Sequence, residues 1–351
     1  MQHALTYLAV ALNIGVVTIF LIINFYSGII EIHLKPKVPD PVKADLAPPK
    51  CKCVKFQDTV IVNHCNEQQQ KGNKTFNRTL YISPKARLGN VLFQLASSYA
   101  LAKDTNSNLM VVDNQYLKIF EDPSFGTVSQ KQFENLNVTQ IIANLELTRY
   151  VEAFQTLLSN SLKLSHYLIR YTFLSGCPEE IRQRLHFKQS ITDKADQAIS
   201  KIARIYENND TSKPVTTVGI HVRQGDLVNR QMMGYKIPDM LYFRKTMKYF
   251  KDRYPNVVFI VATDGKDWVS REMLQPRVHL STLERPEEDM ALVSRCNHAI
   301  TSLGTFSWWC GFFNRGTVIY YKDWVEPNST VWKRRVYNEG DHFPSNWIGM
   351  S

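Results

Sequence analysis

The most regular pattern of apolar and polar positions lies in the last third of the chain, where short β-branched runs alternate with helical stretches. This alternation is typical of a parallel sheet with crossover helices. The predicted strands are Val215–Val222, Val257–Ala262, Val278–Leu280, His298–Thr301 and Thr317–Tyr321, and the predicted helices are Asp239–Arg253, Asp267–Leu274, Pro286–Arg295 and Phe306–Phe313. We therefore expect a Rossmann-like half here.

A shorter pattern of the same kind begins near Thr79. Thr79–Ser83 and Leu109–Asp113 are predicted strands, with a helix over Asn90–Lys103 between them. From Gln115 to about Ile205 no period is evident, and the polar run over 208–214 is typical of a domain boundary. The expected organisation is an N-terminal Rossmann-like domain over 79–210, a second domain over 211–330 and a tail over 331–351.

The N-terminal stretch 4–30 contains no charged residue and is rich in branched apolar side chains. A helix of about 20 such residues crosses the hydrocarbon core of a bilayer. We expect a cytosolic end over 1–3, one transmembrane signal-anchor helix over 4–30 and a proline-rich stem over 31–78. A cleaved signal peptide is the alternative.

Two features favour a lumenal body although Lys35, Lys37 and Lys43 follow the span, against the positive-inside rule. Sequons that predict glycosylation occur at Asn73, Asn77, Asn137, Asn209 and Asn328. The six cysteines are an even number that an oxidising compartment could pair, although Cys51, Cys53, His64 and Cys65 also have the residue types of a zinc site. The expected topology is single-pass type II in the Golgi membrane.

Composition narrows the classes of ligand. The chain has 351 residues, 44% of them hydrophobic, and a formal net charge of +10. Its basic residues are scattered outside any nucleic-acid-binding framework, so no nucleic-acid partner is expected. A basic chain of this kind favours an anionic small substrate.

Candidate chemistry lies in three loops that follow predicted strands: Arg223–Asp226, Thr263–Gly265 and Ser302–Thr305. The carboxyl ends of parallel strands are where ligands bind in such sheets. A guanidinium matches phosphate oxygens, and Gly304 before a helix N-terminus suits close approach of an anion. Alternatively, Arg223 and Asp226 form a local ion pair, Ser302 and Thr305 are helix caps and Asp264 is a turn residue.

The sequence contains no Asp-x-Asp motif and no phosphate-binding P-loop. A carboxylate pair for a divalent cation is thus not evident, and neither a metal nor another cofactor is expected. Arginine and helix dipoles would neutralise a leaving diphosphate instead.

Three motifs resemble those of the α-1,2-fucosyltransferases, glycosyltransferase family 11. The segment His221-Val222-Arg223-Gln224-Gly225-Asp226 is similar to the family's His-x-Arg-Arg-x-Asp signature. Arg87-Leu88-Gly89-Asn90 with Gln94 and Ala96 resembles a first block, and Cys296 to Trp309 a third. Gln224 stands where the family has a second arginine, and Ala86 where it has a glycine.

The resemblance implies a GT-B architecture of two facing Rossmann-like domains, with 79–210 on the acceptor side and 211–330 binding the nucleotide sugar. It also implies inverting transfer of fucose from GDP-β-L-fucose to a galactose hydroxyl of a glycan acceptor. By the same likeness Arg223 would hold the β-phosphate, and Asp226 would act as general base. The other implied donor contacts are His221 and Asp264 at guanine, Ser302, Thr305 and Phe306 at the diphosphate and fucose, and Arg87 and Asn90 from the N-terminal side. Alternatives are another acceptor or linkage, or a non-catalytic glycan-binding relative in the Golgi.

Overall fold

The structure is a computed structural model that describes residues 7–14, 17–26, 29–35, 78–142, 161–165, 169–207, 214–225, 231, 233–335 and 339–351, the first three ranges as backbone. The chain divides into two compact units, Met1–Asn77 and Arg78–Ser351. In the first, strands β1 (Tyr7–Ile14), β2 (Val17–Tyr26) and β3 (Ile29–Lys35) pair antiparallel in chain order.

The membrane-spanning helix that the sequence predicts over 4–30 is not what the structure shows, because β1 and β2 occupy most of this stretch. β-branched residues favour extended backbone in water, whereas a hydrocarbon surrounding favours a helix that satisfies its own backbone hydrogen bonds. No helix within the described ranges combines the length and the apolarity needed to cross a bilayer. The span and its topology stay predictions.

The second unit begins with a parallel five-stranded sheet in the order β7-β8-β4-β5-β6. Its elements are β4 (Thr79–Ile82), α1 (Leu88–Asp104), β5 (Asn108–Val112), β6 (Gly126–Val128), α2 (Gln130–Asn135), β7 (Thr139–Ile142) and β8 (Leu162–Ser165). Two helices follow it, α3 (Pro178–Arg184) and α4 (Gln189–Glu207). Although α4 lies within the predicted range 79–210, it packs against a helix of the following sheet.

The C-terminal sheet has six parallel strands in the order β11-β10-β9-β12-β13-β14. Its elements are β9 (Thr216–Val222), α5 (Met240–Lys251), β10 (Val257–Thr263), α6 (Lys266–Glu272), β11 (Val278–Leu280), α7 (Pro286–Arg295), β12 (His298–Thr301), α8 (Thr305–Phe313), β13 (Val318–Tyr321), α9 (Thr330–Arg335), α10 (Glu339–His342) and β14 (Ile348–Met350). The predicted α/β pattern of this part is confirmed.

This strand order is that of a Rossmann sheet, with the reversal between β9 and β12. Strands β9 and β10 are buried on both faces, so their sequences are nearly continuous apolar runs. At Gly219 of β9 a Cβ would lie 2.8 Å from the Cα of Val293, and glycine therefore allows α7 to pack directly on the strand. The crevice at the reversal is where a ligand is expected in this topology.

Candidate functional site

Three loops meet at the point where the strand order reverses. The parallel register places Val222 beside Thr263 and His221 beside Thr301. The residues that follow these strands, Arg223, Asp264 and Ser302, therefore lie at the same edge of the sheet. They line a cavity of about 720 Å³, a size typical of small-molecule sites.

The carboxylate of Asp264 holds the loop that carries Arg223. One carboxylate oxygen accepts hydrogen bonds from the backbone N–H groups of Gln224, at 2.8 Å, and Gly225, at 3.2 Å. The other lies 3.1 Å from Arg223 Nε as an ion pair, with 13% of the arginine side chain exposed. A Cβ at Gly225 would lie 2.4 Å from this oxygen, so the loop requires glycine there. Asp264 thus positions Arg223 through both charge and backbone.

The loop after β12 supplies an anion-binding backbone. The Ser302 hydroxyl accepts a hydrogen bond from the Arg223 N–H at 2.9 Å, and the Ser302 N–H donates to Ser307 Oγ at 2.8 Å. Gly304 has a φ of 95°, which disfavours any L side chain, and no atom lies within 4 Å of an added Cβ. Because α8 begins at the next residue, its N-terminal N–H groups face an open approach beside Arg223. The arrangement can hold a diphosphate.

The first turn of α1 closes the cavity from the N-terminal sheet. A Cβ at Gly89 would lie 2.5 Å from the backbone nitrogen of Phe306, so the first turns of α1 and α8 are in direct contact. Thr305 Oγ1 donates to Asn90 Oδ1 at 2.8 Å, and Trp309 Nε1 donates to the Gly89 carbonyl at 3.0 Å. Thr305 and Asn90 both line the cavity, and their polar groups are bonded to each other.

The turn before α1 is strained at Ala86, which has a φ of 85°. The buried amide of Gln94 holds this turn, because it accepts from the Lys85 N–H and donates to the Lys85 carbonyl. Arg87 follows as the N-cap residue and lies at the cavity wall. Alanine therefore fits at this position, but in a left-handed conformation that glycine adopts more readily.

His221 and Phe306 form an aromatic part of the cavity wall, with ring centroids 4.8 Å apart. Burial lowers the pKa of His221 to about 3, with Asp264 opposing and Arg223 reinforcing the shift. The imidazole is thus neutral at physiological pH. Its Nδ1 is buried and has no hydrogen-bond partner among the described residues, which suits contact with a polar ligand.

Asp289 lies in the first turn of α7 and lines the cavity. Burial raises its pKa to about 6, although the hydrogen bond that it accepts from Ser281 Oγ at 2.6 Å lowers it. A largely buried carboxylate on the wall of a cavity is a candidate acceptor for ligand N–H groups. The sequence signal was an acid in the first turn of the predicted helix that follows β11.

All the predicted donor contacts line this one cavity, and they are Arg87, Asn90, His221, Arg223, Asp264, Ser302, Thr305 and Phe306. Asp226 lies outside the described residues, as do Asn73, Asn77 and Asn209. The sequons at Asn137 and Asn328 lie on exposed positions. No cluster of three metal-ligating side chains occurs among the residues that the structure describes.

Of the cysteines, Cys51, Cys53 and Cys65 lie outside the described residues together with His64. Cys296 and Cys310 are buried thiols whose pKa burial raises, to about 12 for Cys296. Neither is a reactive thiolate at neutral pH. Cys177 is also buried, and the structure contains no disulfide between the three described cysteines. The zinc alternative stays an untested prediction.

The strain at Ala86 predicts that Ala86→Gly stabilises the protein by about 0.5–1 kcal/mol, the relief of the left-handed conformation less the entropy of a freer unfolded chain. Urea unfolding of wild type and variant measures this. Ala100→Gly in the middle of α1 is the matched control and should destabilise by about 1 kcal/mol. Equal destabilisation by both substitutions would contradict the assignment of strain to Ala86.

The contacts of Asp264 predict that Asp264→Asn weakens binding of inorganic pyrophosphate about tenfold, since the arginine loop loses its ionic anchor. Isothermal titration calorimetry at low salt measures the affinity. Asp267→Asn, which removes the same charge from an exposed position in α6, is the control and should leave affinity within about twofold. Loss of a negative charge alone would strengthen binding of the anion, so unchanged or tighter binding in Asp264→Asn would refute the role of the loop contacts.

Comparison with known proteins identifies related chains. The human protein named galactoside alpha-(1,2)-fucosyltransferase 1 is 25% identical over 281 residues, which are 78% of this chain and 75% of that one. Among solved structures, a fucosyltransferase NodZ from Bradyrhizobium has a TM-score of 0.44 and 16% identity, covering 71% of this chain and 96% of its own. A mutant FUT1 of Arabidopsis thaliana in complex with GDP has a TM-score of 0.44 and 14% identity, covering 76% and 74%.

The sequence model of Glycosyl transferase family 11 matches residues 50–351, which include the complete second unit and every cavity residue described above. This match extends over well more than half of the chain. It confirms the family indicated by the three motifs, and the chain therefore belongs to glycosyl transferase family 11.

Proposed function

We propose that the chain is an inverting fucosyltransferase that moves fucose from GDP-β-L-fucose to a galactose hydroxyl of a glycan, forming an α-1,2 linkage. The observation that carries the proposal is the clamped Arg223 beside the N-terminus of α8, at the reversal of a Rossmann-type sheet. The name of the human relative supports the sugar and the acceptor. The two sheets would face each other as in a GT-B enzyme.

The donor would lie along the edge of the C-terminal sheet. The diphosphate would bind Arg223 and the N–H groups at Gly304 and Thr305, because a charge-assisted hydrogen bond contributes about 1.5–3 kcal/mol. Guanine would contact His221 and Phe306. Since Asp264 is occupied by the Arg223 loop, we assign the acceptor for the base N–H groups to Asp289.

In the reaction the acceptor oxygen would attack the anomeric carbon of fucose as the bond to the β-phosphate oxygen breaks. GDP would leave with the electron pair, and Arg223 and the α8 N-terminus would stabilise its developing charge. The hydroxyl proton would pass to Asp226, the general base that the resemblance implies. The proposed mechanism does not involve a metal ion.

The alternatives concern acceptor and catalysis. The same donor pocket would serve a fucosyltransferase with another acceptor or linkage. Gln224 in place of a second arginine permits a non-catalytic relative, because one positive charge beside the diphosphate is missing. We further propose a single-pass type II protein of the Golgi membrane with its body and its glycosylated sequons in the lumen.

Arg223→Ala should reduce transfer at least 100-fold, a typical loss when a charge-stabilising donor is removed. The assay incubates the full chain with GDP-fucose and lactose or N-acetyllactosamine, with EDTA or Mn²⁺, and identifies the product linkage by NMR. We expect an α-1,2 product in EDTA. Arg253→Ala, at an exposed position just after α5, is the control and should retain activity.

Each other outcome of this assay selects an alternative. Another linkage would support the rival acceptor, and donor binding without turnover would support a non-catalytic relative. Activity only with Mn²⁺ would refute metal independence. Unchanged turnover in Arg223→Ala would refute the assignment of the donor site.

The raised pKa of Asp289 predicts a pH-dependent donor affinity. The ionised carboxylate accepts the base N–H groups, so affinity for GDP-fucose should be nearly full above about pH 7, half at about pH 6, and about tenfold lower at pH 5 than at pH 7.5. GDP-fucose is suitable because its substituted diphosphate does not titrate in this window, and neither does His221 with a pKa of about 3. Calorimetric titration across this range measures the effect.

Asp289→Asn is the test of this cause, since an amide has no such titration. The variant should bind more weakly at pH 7.5 and show a flat profile down to pH 5. An unchanged pH profile in Asp289→Asn would show that another group titrates.

A further inference from the structure

The cavity has two chemically different ends, which follow from the order of the strands. Its described carboxylates, Asp264, Glu284 and Asp289, all come after β10 and β11 on one side of the strand reversal. On the other side, Trp324 follows β13 and Phe343 precedes β14. The described lining residues on this β13 side include aromatic rings and no carboxylate.

Two of these rings, Tyr235 and Trp324, form a rigid platform. Their centroids are 6.3 Å apart with the planes tilted by 30°. The Lys236 N–H donates to the Trp324 carbonyl at 2.9 Å, and the Glu326 N–H donates to the Gly234 carbonyl at 2.8 Å. These bonds flank the two aromatic residues and bring their segments into an antiparallel bridge. Trp324 is buried and Tyr235 is half-buried, so the platform is preformed and reachable from the cavity.

The segment that carries Phe343 is bonded to helix α8. Phe343 stacks on Tyr320 with centroids 4.0 Å apart, and it remains half-buried at the cavity wall. Trp308 of α8 donates its indole N–H to the His342 carbonyl at 2.7 Å. Because α8 begins beside the expected diphosphate, the aromatic end is held at a fixed distance from the donor end.

We propose that Tyr235, Trp324 and Phe343 form the acceptor subsite and take an uncharged terminal sugar ring, stacked by its C–H face on the Tyr235 platform. This rests on the proposed fucosyltransferase function. A pyranose has one apolar face and a rim of hydroxyls, which matches aromatic faces with polar edges. Arg170 is buried and lines the same cavity, and its positive charge disfavours a cationic sugar. A lipid or aromatic group would also fit apolar rings, and the experiment separates these.

The test measures initial rates with GDP-fucose against lactose and methyl β-galactoside. Tyr235→Ala should raise the KM for both acceptors about tenfold with kcat changed less than about threefold, while GDP-fucose affinity by calorimetry stays within about twofold. Tyr235→Phe keeps the ring and should restore the wild-type KM. Tyr249→Ala on α5, away from the cavity, is the matched control and should change neither constant.

The outcomes separate this proposal from the function on which it rests. If wild type neither binds nor uses GDP-fucose, the proposed function fails. If wild type transfers fucose but Tyr235→Ala has an unchanged acceptor KM, only the subsite fails, and equal loss in Tyr235→Phe refutes stacking. An acceptor KM that falls with an alkyl or aryl aglycone and is insensitive to the sugar assigns the platform to an apolar group. Should Tyr235→Ala not fold, Phe343→Leu decides in the same assay, with a severalfold higher acceptor KM expected and an unchanged KM refuting the proposal.

Discussion

The contact between the first turns of α1 and α8 is the constraint on which the site depends. Gly89 permits the approach, since any Cβ there would collide with the backbone of Phe306, and the indole of Trp309 uses the Gly89 carbonyl as its acceptor. Trp309 is fully buried, and Phe93 packs against it and Trp308. One junction thereby attaches the N-terminal sheet to the helix whose N-terminus lines the cavity. Rigid placement of binding groups on helices reduces the reorganisation needed on binding.

A second layer of positioning operates within the C-terminal sheet, where charge is neutralised before any ligand arrives. Asp264 compensates Arg223 and accepts two backbone N–H groups, so the arginine loop has a single arrangement. Ser302 connects this loop to the one after β12 through the Arg223 N–H. The strand reversal therefore does more than open a crevice. It brings two loops close enough to brace each other, and the anion meets donors that are already oriented.

The C-terminal sheet was predictable because its strands β9 and β10 are buried on both faces and have continuous apolar sequences, and β11, α7 and β12 have the predicted bounds. The strands between 115 and 205 have three or four residues and no continuous apolar run, so the sequence showed no period there. For the same reason β14 was not predicted, and its residues were assigned to the C-terminal tail. The positions of the strand ends predicted which residues line the cavity. The hydrogen bond between Thr305 and Asn90 and the role of Asp264 were not predictable, because they depend on contacts between loops.

The two ends of the cavity show how one topology can separate two kinds of recognition. Loops on the β10 and β11 side carry carboxylates, which can read the N–H groups of a base, whereas the segments around β13 and β14 carry rings. Arg223 and the α8 N-terminus lie between these sides, at the reversal itself. A ligand with a base, a diphosphate and a sugar has the same order of chemistry along its length. The donor sugar would therefore lie at the aromatic side, where the acceptor sugar ring can stack beside it. The strand order thus determines where in the cavity the transfer would take place.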